Sequence, residues 1–155
     1  MLWDGGVYDN LGLDPLFKIG QGFSRELDQS IDFLIVSNAG ASIQYQKHSG
    51  HISISNLRRL LDIATNQVGE LRSQQVFSSV VTTGRGMYLK MGLTCDQIAQ
   101  VYSIPISSTP HLLPAEVAKV KNYPTTLNSP TEKDFDLIFR HGYENAKCVH
   151  MGLAK

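Results

Sequence analysis

An excess of charge of either sign is missing from this sequence: Lys and Arg number 14, Asp and Glu number 14, and the formal net charge is zero. Nucleic-acid binding draws much of its affinity from phosphate neutralisation, so that class is set aside and no nucleic-acid partner is expected. Long hydrophobic runs are missing too. None reaches the roughly 18–20 residues of a membrane-spanning helix, and no signal-peptide pattern opens the chain. Cysteine is scarce. Cys95 and Cys148 are far apart in sequence and make neither a disulfide framework nor a Cys-x-x-Cys site. A reducing compartment is the easier fit for them, with the cytoplasm as the default. Repeats and low-complexity stretches are absent. Gly20 and Gly22 are followed by no Gly-Lys-Ser/Thr, so they form no phosphate loop. No cofactor is expected.

What is present is enough for one domain. The chain has 155 residues, 42% of them hydrophobic, which supplies one core with little room for a second. The pattern is α/β, and residues 1–155 read as one domain. Leu2-Trp3 reads as the end of a strand, too short to be one alone, so the sequence reads as beginning mid-domain. A short helix is expected over Asn10 to Phe17, capped by Asp9 or Asn10, with Pro15 tolerated only in a first turn. Lys18 to Phe23 reads as loop. Ile31 to Ser37 is the strongest strand, β-branched and apolar enough for a sheet buried on both faces. Asn38 to Ser42 forms a small-residue turn at its carboxyl end, where sites gather in open α/β sheets.

Asn56 to Arg72 predicts an amphipathic helix. Leu57, Leu60, Leu61, Ala64, Val68 and Leu71 form one apolar stripe, read as core-facing, with Ser55 or Asn56 as cap. Gly86 to Gly92 alternates and predicts a half-buried strand, with Met87, Leu89 and Met91 on one face and Tyr88 and Lys90 on the other. Thr94 to Val101 predicts a short helix. Pro105 to Pro124 is Pro-rich and irregular, with a helical run near Ala115 to Val120. Ser129 to Glu132 reads as a capping box with Pro130 at the first helical position. The helix it opens carries the stripe Phe135, Ile138, Phe139, Gly142, Ala146 and Val149, and Gly142 on that stripe is expected to pack closely against another element. His48 and His51 are three apart without a Cys or carboxylate partner nearby, so no metal site is expected. His111, between Pro110 and Pro114, reads as a loop histidine with no obvious partner.

The run that organises the functional reading is Asp4-Gly5-Gly6-Val7-Tyr8-Asp9-Asn10-Leu11-Gly12-Leu13. Asp-Gly is an ordinary tight-turn pair. The longer string resembles the Asp-Gly-Gly block of the patatin-like phospholipases, bacterial type, which are serine acyl hydrolases working with a Ser–Asp dyad. The turn at Asn38 to Ser42, the run from Tyr123 to Asn128 and the His141-Gly142-Tyr143 run are similar to structural segments of the same family. His141 to Tyr143 is read as docking rather than chemistry. The resemblance implies an α/β hydrolase-type sheet-and-helix domain of which this chain is the C-terminal, incomplete portion. It implies Asp4 as the dyad base, with Gly5 and Gly6 letting the backbone turn beside the substrate. It also implies a lipid or ester substrate and peripheral membrane contact.

Serine acyl hydrolysis further needs a nucleophile, usually in Gly-x-Ser-x-Gly, and an oxyanion hole. The 155 residues contain no Gly-x-Ser-x-Gly. Gly40-Ala41-Ser42-Ile43-Gln44 and Gly22-Phe23-Ser24-Arg25-Glu26 each lack the second glycine. An Asp base without a hydroxyl to deprotonate stabilises no transition state, so this chain alone is expected to be inactive. Packing partners contributed by other residues would leave apolar surface uncovered here, so self-association through an exposed core is expected. Two other readings stand beside this one: a non-catalytic α/β binding module, and a half-enzyme complemented in trans.

Overall fold

In the computed structural model of the chain, the described residues are 11–18, 21–23, 32–40, 54–105, 111–124 and 128–154. They fall into two compact units. One joins residues 1–32 and 42–83, and the other joins 33–41 and 84–155. Among the described residues no helix is long and apolar enough to cross a membrane.

In the first unit the helix expected from Asn10 to Phe17 is not formed. Gly12 takes φ 62°, a left-handed conformation that breaks helical geometry and suits glycine. Pro15 follows within the next turn. The chain makes one turn, with the N–H groups of Leu16 and Phe17 donating to Leu13 O at 2.8 and 2.7 Å. It then enters β1 (Phe17–Lys18), which pairs antiparallel with β2 (Gly22–Phe23). The stretch read as loop is thus a minimal hairpin. An exposed Asp14–Lys18 ion pair spans its entry.

Helix α1 runs over Ile54–Thr83, about 45 Å at 1.5 Å per residue, and continues well past the expected end at Arg72. Its predicted core stripe is a correction. Leu57, Leu60, Leu61, Val68 and Leu71 are all about half or more exposed. The buried positions lie in the C-terminal half, at Ser73, Val76 and Val80. Periodicity identified an apolar face but could not say whether anything in the described residues covers it.

The second unit is built on β3 (Leu34–Asn38) and β4 (Gly86–Lys90), a parallel pair with Val36 opposite Tyr88. α1 lies between them in sequence, so their connection is long enough for a parallel pair. β3 begins three residues later than predicted and is not buried on both faces. Leu34 and Val36 are buried, whereas Phe33 and Ile35 are exposed, Ile35 by 62%. β4 is the better covered strand. Met87 and Tyr88 point to opposite faces and both are buried, so the half-exposed face predicted for Tyr88 is also corrected.

Helices α2 (Cys95–Tyr102), α3 (Pro114–Lys121) and α4 (Glu132–Leu153) complete this unit. α4 packs on β4, α2 and α3. Met87, Cys95, Ile98, Cys148 and Val149 form a core cluster, edged by Leu89, Leu93, Tyr102 and Leu153. α2 starts on a capping box. Gln97 N–H donates to Thr94 Oγ, and Thr94 N–H donates to the Gln97 side chain. α3 matches the helical run expected near Ala115 to Val120, and the Glu116 carboxylate accepts from Leu113 N–H at its start.

α4 begins later than its predicted cap. Thr131, not Ser129, is the N-cap and accepts from Asp134 N–H. Pro130 therefore precedes the cap instead of filling the first helical position. The buried face of α4 is His141, Asn145, Cys148 and Val149, which rotates the predicted stripe. Phe135 and Phe139 are exposed and stack on one another, with ring centroids 6.3 Å apart. Gly142 is exposed, and a methyl group there would meet nothing within 4 Å. The glycine of close approach is Gly152, where a Cβ would come within 2.8 Å of Tyr102 Cβ. Gly142→Ala is therefore expected to stabilise the fold by about 0.5–1 kcal/mol through helix propensity. Thermal or urea melts check this, and a loss of stability would show a packed glycine instead.

Candidate functional site

Asp4, Gly5 and Gly6, the residues the sequence marks for catalysis, lie outside the described residues, as do Ser42, His48 and His51. The Asp-Gly-Gly block enters the described region only at its end, through Leu11, Gly12 and Leu13. There the positive φ of Gly12 explains one of its glycines. Leu13 is buried.

The carboxyl end of the β3–β4 pair is described in full up to Gly40. Asn38 Nδ2 donates to the Tyr88 hydroxyl at 2.8 Å, and Asn38 Oδ1 accepts from Gly40 N–H at 2.9 Å. The second bond closes a side-chain turn over the strand end. Asn38 is thus occupied in shaping the turn, in keeping with the structural role read from its sequence. On the other strand Asn145 Nδ2 donates to Lys90 O at 2.8 Å, and Gly92 N–H donates to His141 Nε2 at 3.0 Å. Gly92 itself takes φ 87°. Two polar side chains of α4 therefore satisfy the backbone as it leaves β4, which is why they are buried where periodicity expected apolar residues.

The bond from Gly92 N–H requires an unprotonated Nε2 on His141, which puts the neutral ring's proton on Nδ1. Burial pushes the His141 imidazole below the usual histidine range, and nearby Glu144 pulls weakly the other way. The neutral form is the one the fold selects. The unfolded chain then binds more protons across the interval between the depressed folded value and the ordinary value near 6.5. Stability from this group is complete above the ordinary value and is lost as pH falls through the depressed one. His141→Gln, which keeps an acceptor, is expected to flatten that slope in urea melts between about pH 7 and pH 5. An unchanged slope would place the titration elsewhere.

A second cluster lies beside the core. Cys95, at the start of α2, and Cys148, late in α4, are joined as a disulfide with Cα atoms 5.9 Å apart and a sequence separation of 53. Both are buried. The sequence expectation that the two cysteines form no framework is corrected here, because packing of α2 on α4 brings them together. His111 is not a lone loop histidine either. One ligand atom from each of Cys95, Cys148 and His111 lies within 4.8 Å of the others. Glu144 sets this arrangement: its Oε2 accepts from Leu112 N–H at 2.8 Å, its Oε1 accepts from Arg140 Nε at 2.9 Å, and its backbone oxygen is 3.7 Å from Cys95 Sγ. Spacing along the chain carries no sign of this cluster, since its members come from two helices and a loop. The two sulfurs are bonded to each other, so neither is a free nucleophile in this state.

Tyr102, which seats on Gly152, has a buried hydroxyl without a hydrogen-bond partner among the described residues, and burial pushes its phenol up. Comparison of the chain with family models, with curated proteins and with solved structures finds no match.

Proposed function

We propose that this chain supplies the Asp-bearing portion of a patatin-like lipid acyl hydrolase, with Asp4 as the general base of a Ser–Asp dyad and Gly5 and Gly6 shaping the backbone beside the ester. The observation that carries the proposal is the contiguous Asp4 to Leu13 string. The positive φ of Gly12 within it and the parallel β3–β4 pair with flanking helices are in keeping with an α/β hydrolase-type domain. The substrate class is a lipid or ester, reached through peripheral membrane contact. The nucleophile is carried by residues other than these 155, because no Gly-x-Ser-x-Gly is present among them.

The test is ester hydrolysis with a chromogenic acyl ester and with phospholipid vesicles. The chain alone is expected to show no rate above its Asp4→Ala variant. Mixed with a polypeptide carrying a Gly-x-Ser-x-Gly turn and the Gly-rich oxyanion loop of the family, it is expected to show a rate that Asp4→Ala removes. A rate from the chain alone would place a nucleophile within it. No rate in any combination would favour a non-catalytic binding module.

The half-exposed leucines of α1, with Ile35 on β3 and Phe33 just before it, support a second part of the proposal: the chain self-associates through apolar surface. Sedimentation velocity at rising concentration is expected to show oligomers, and Leu60→Glu with Leu71→Glu is expected to reduce them. A monodisperse monomer at all concentrations would remove this part.

A further inference from the structure

The Cys95, Cys148 and His111 cluster is independent of the hydrolase reading and of every residue assigned to it. Three facts meet there. The sulfurs and a histidine nitrogen are mutually within 4.8 Å. His111 Nε2 is buried with no hydrogen-bond partner among the described residues. The loop that carries His111 is tied to α4 through the bond from Leu112 N–H to Glu144.

A disulfide alone explains the first fact in part and the second not at all. A buried imidazole nitrogen without a partner is destabilising, and such atoms call for a water, an ion or a chemical role. Two thiolates and an imidazole are the ligand set of a zinc-type cation. Tetrahedral bonds of about 2.3 Å to sulfur and about 2.0 Å to nitrogen put the ligand atoms roughly 3.5–3.8 Å apart. The ligand atoms already lie within 4.8 Å of one another, so a cation needs the sulfurs to separate and the histidine nitrogen to settle by no more than about 1 Å.

We propose that Cys95, Cys148 and His111 form a redox-gated site for a thiophilic divalent cation of the zinc class, closed when the disulfide is formed and open when it is reduced. The two states exclude one another, since a disulfide sulfur has no thiolate to offer. A dithiol reductant opens the site by thiol–disulfide exchange: the Cys95–Cys148 bond breaks, each sulfur gains a proton, and the reductant leaves as its own disulfide. The cation then forms two metal–sulfur bonds and one metal–nitrogen bond, and the two thiol protons are released to solvent. Three protein ligands leave the fourth tetrahedral position to water. Glu144 is a positioning residue, holding the backbone next to His111.

Cobalt is the probe, because thiolate ligands give it a charge-transfer absorption and tetrahedral geometry intensifies its visible bands. The intact chain is reduced with a phosphine, which takes an oxygen from water and becomes its oxide while both sulfurs become thiols. Excess phosphine is removed and Co²⁺ is titrated. The expected result is one equivalent bound with sulfur-to-cobalt charge transfer, displaced by one equivalent of Zn²⁺. The unreduced chain is expected to bind none. His111→Gln is expected to weaken binding tenfold or more, and Cys95→Ser to lower the charge-transfer band by half or more, since one of the two thiolates is lost. Absence of that band in the reduced wild-type chain overturns the proposal, as does unchanged affinity in His111→Gln. Circular dichroism covers the remaining case. If reduction unfolds the chain and cobalt restores the signal, binding and folding are linked as proposed, and if cobalt does not restore it the proposal fails.

Discussion

Reducing the Cys95–Cys148 bond in the presence of a metal chelator is expected to lower the unfolding free energy by about 4 kcal/mol. The figure follows from the 53-residue separation, since a cross-link removes loop-closure entropy from the unfolded chain in proportion to the logarithm of the loop it closes. The native side of the balance should change little. Both sulfurs sit in a cluster with Met87, Ile98 and Val149, and a pair of buried thiols remains apolar enough to stay there. Urea melts at 25 °C with and without a phosphine measure the difference. Against a typical total of about 5–15 kcal/mol the loss would be large, and the transition midpoint should fall accordingly. A shift below about 1 kcal/mol would mean that the unfolded chain is already compact enough to hold the two ends together. Adding Zn²⁺ to the reduced chain should recover part of the loss, by the linkage of ligand binding to folding.

If the chain completes a hydrolase as proposed, Asp4→Ala is expected to lower kcat by a factor of about 10²–10⁴, with KM little changed. The range is that of a positioned general base. The split between kcat and KM follows because a base that takes a proton only in the transition state contributes little to ground-state binding. Asp4→Asn should be nearly as damaging, since it keeps the size of the side chain and removes its basicity. Steady-state hydrolysis by the Ser-bearing polypeptide together with this chain provides the readout. If Asp4→Asn retains more than about a tenth of the wild-type kcat, Asp4 is not the base, and the Asp-Gly-Gly run is only a turn.

The sequence located most of the elements and misjudged several of their faces. Two short helices were legible in position, near Thr94 to Val101 and near Ala115 to Val120, although the Thr94–Gln97 box that starts α2 and the Pro114 that opens α3 were not singled out. The start of α4 was one motif off, because Ser129 to Glu132 and Thr131 to Asp134 both match a cap pattern and Thr131 is the N-cap that forms. Faces were harder. In α1 the leucine stripe is real yet uncovered in the described residues. In α4 the buried positions include His141 and Asn145, whose polar groups belong inside because the backbone after β4 needs a donor and an acceptor there. No hydropathy pattern expresses that need. The expectation that Gly142 packs closely is overturned, and the glycine of α4 that does meet a neighbour, Gly152 against Tyr102, was not singled out in the sequence. The Cys95, Cys148 and His111 cluster had no sequence signature, since it depends on which helix packs against which.

One turn of α4, from His141 to Asn145, reaches two otherwise separate segments: the exit of β4, at the Lys90 carbonyl and the Gly92 amide, and the loop before α3, at the Leu112 amide. Segments held this way cannot loosen one at a time. If that turn frays, the exit of β4 and the loop before α3 lose their anchors in the same event. If it stays wound, neither opens by itself. The connecting segments are therefore expected to exchange their amide hydrogens together with that turn of the helix, and an exchange measurement that finds either segment opening much faster than the turn would remove the expectation.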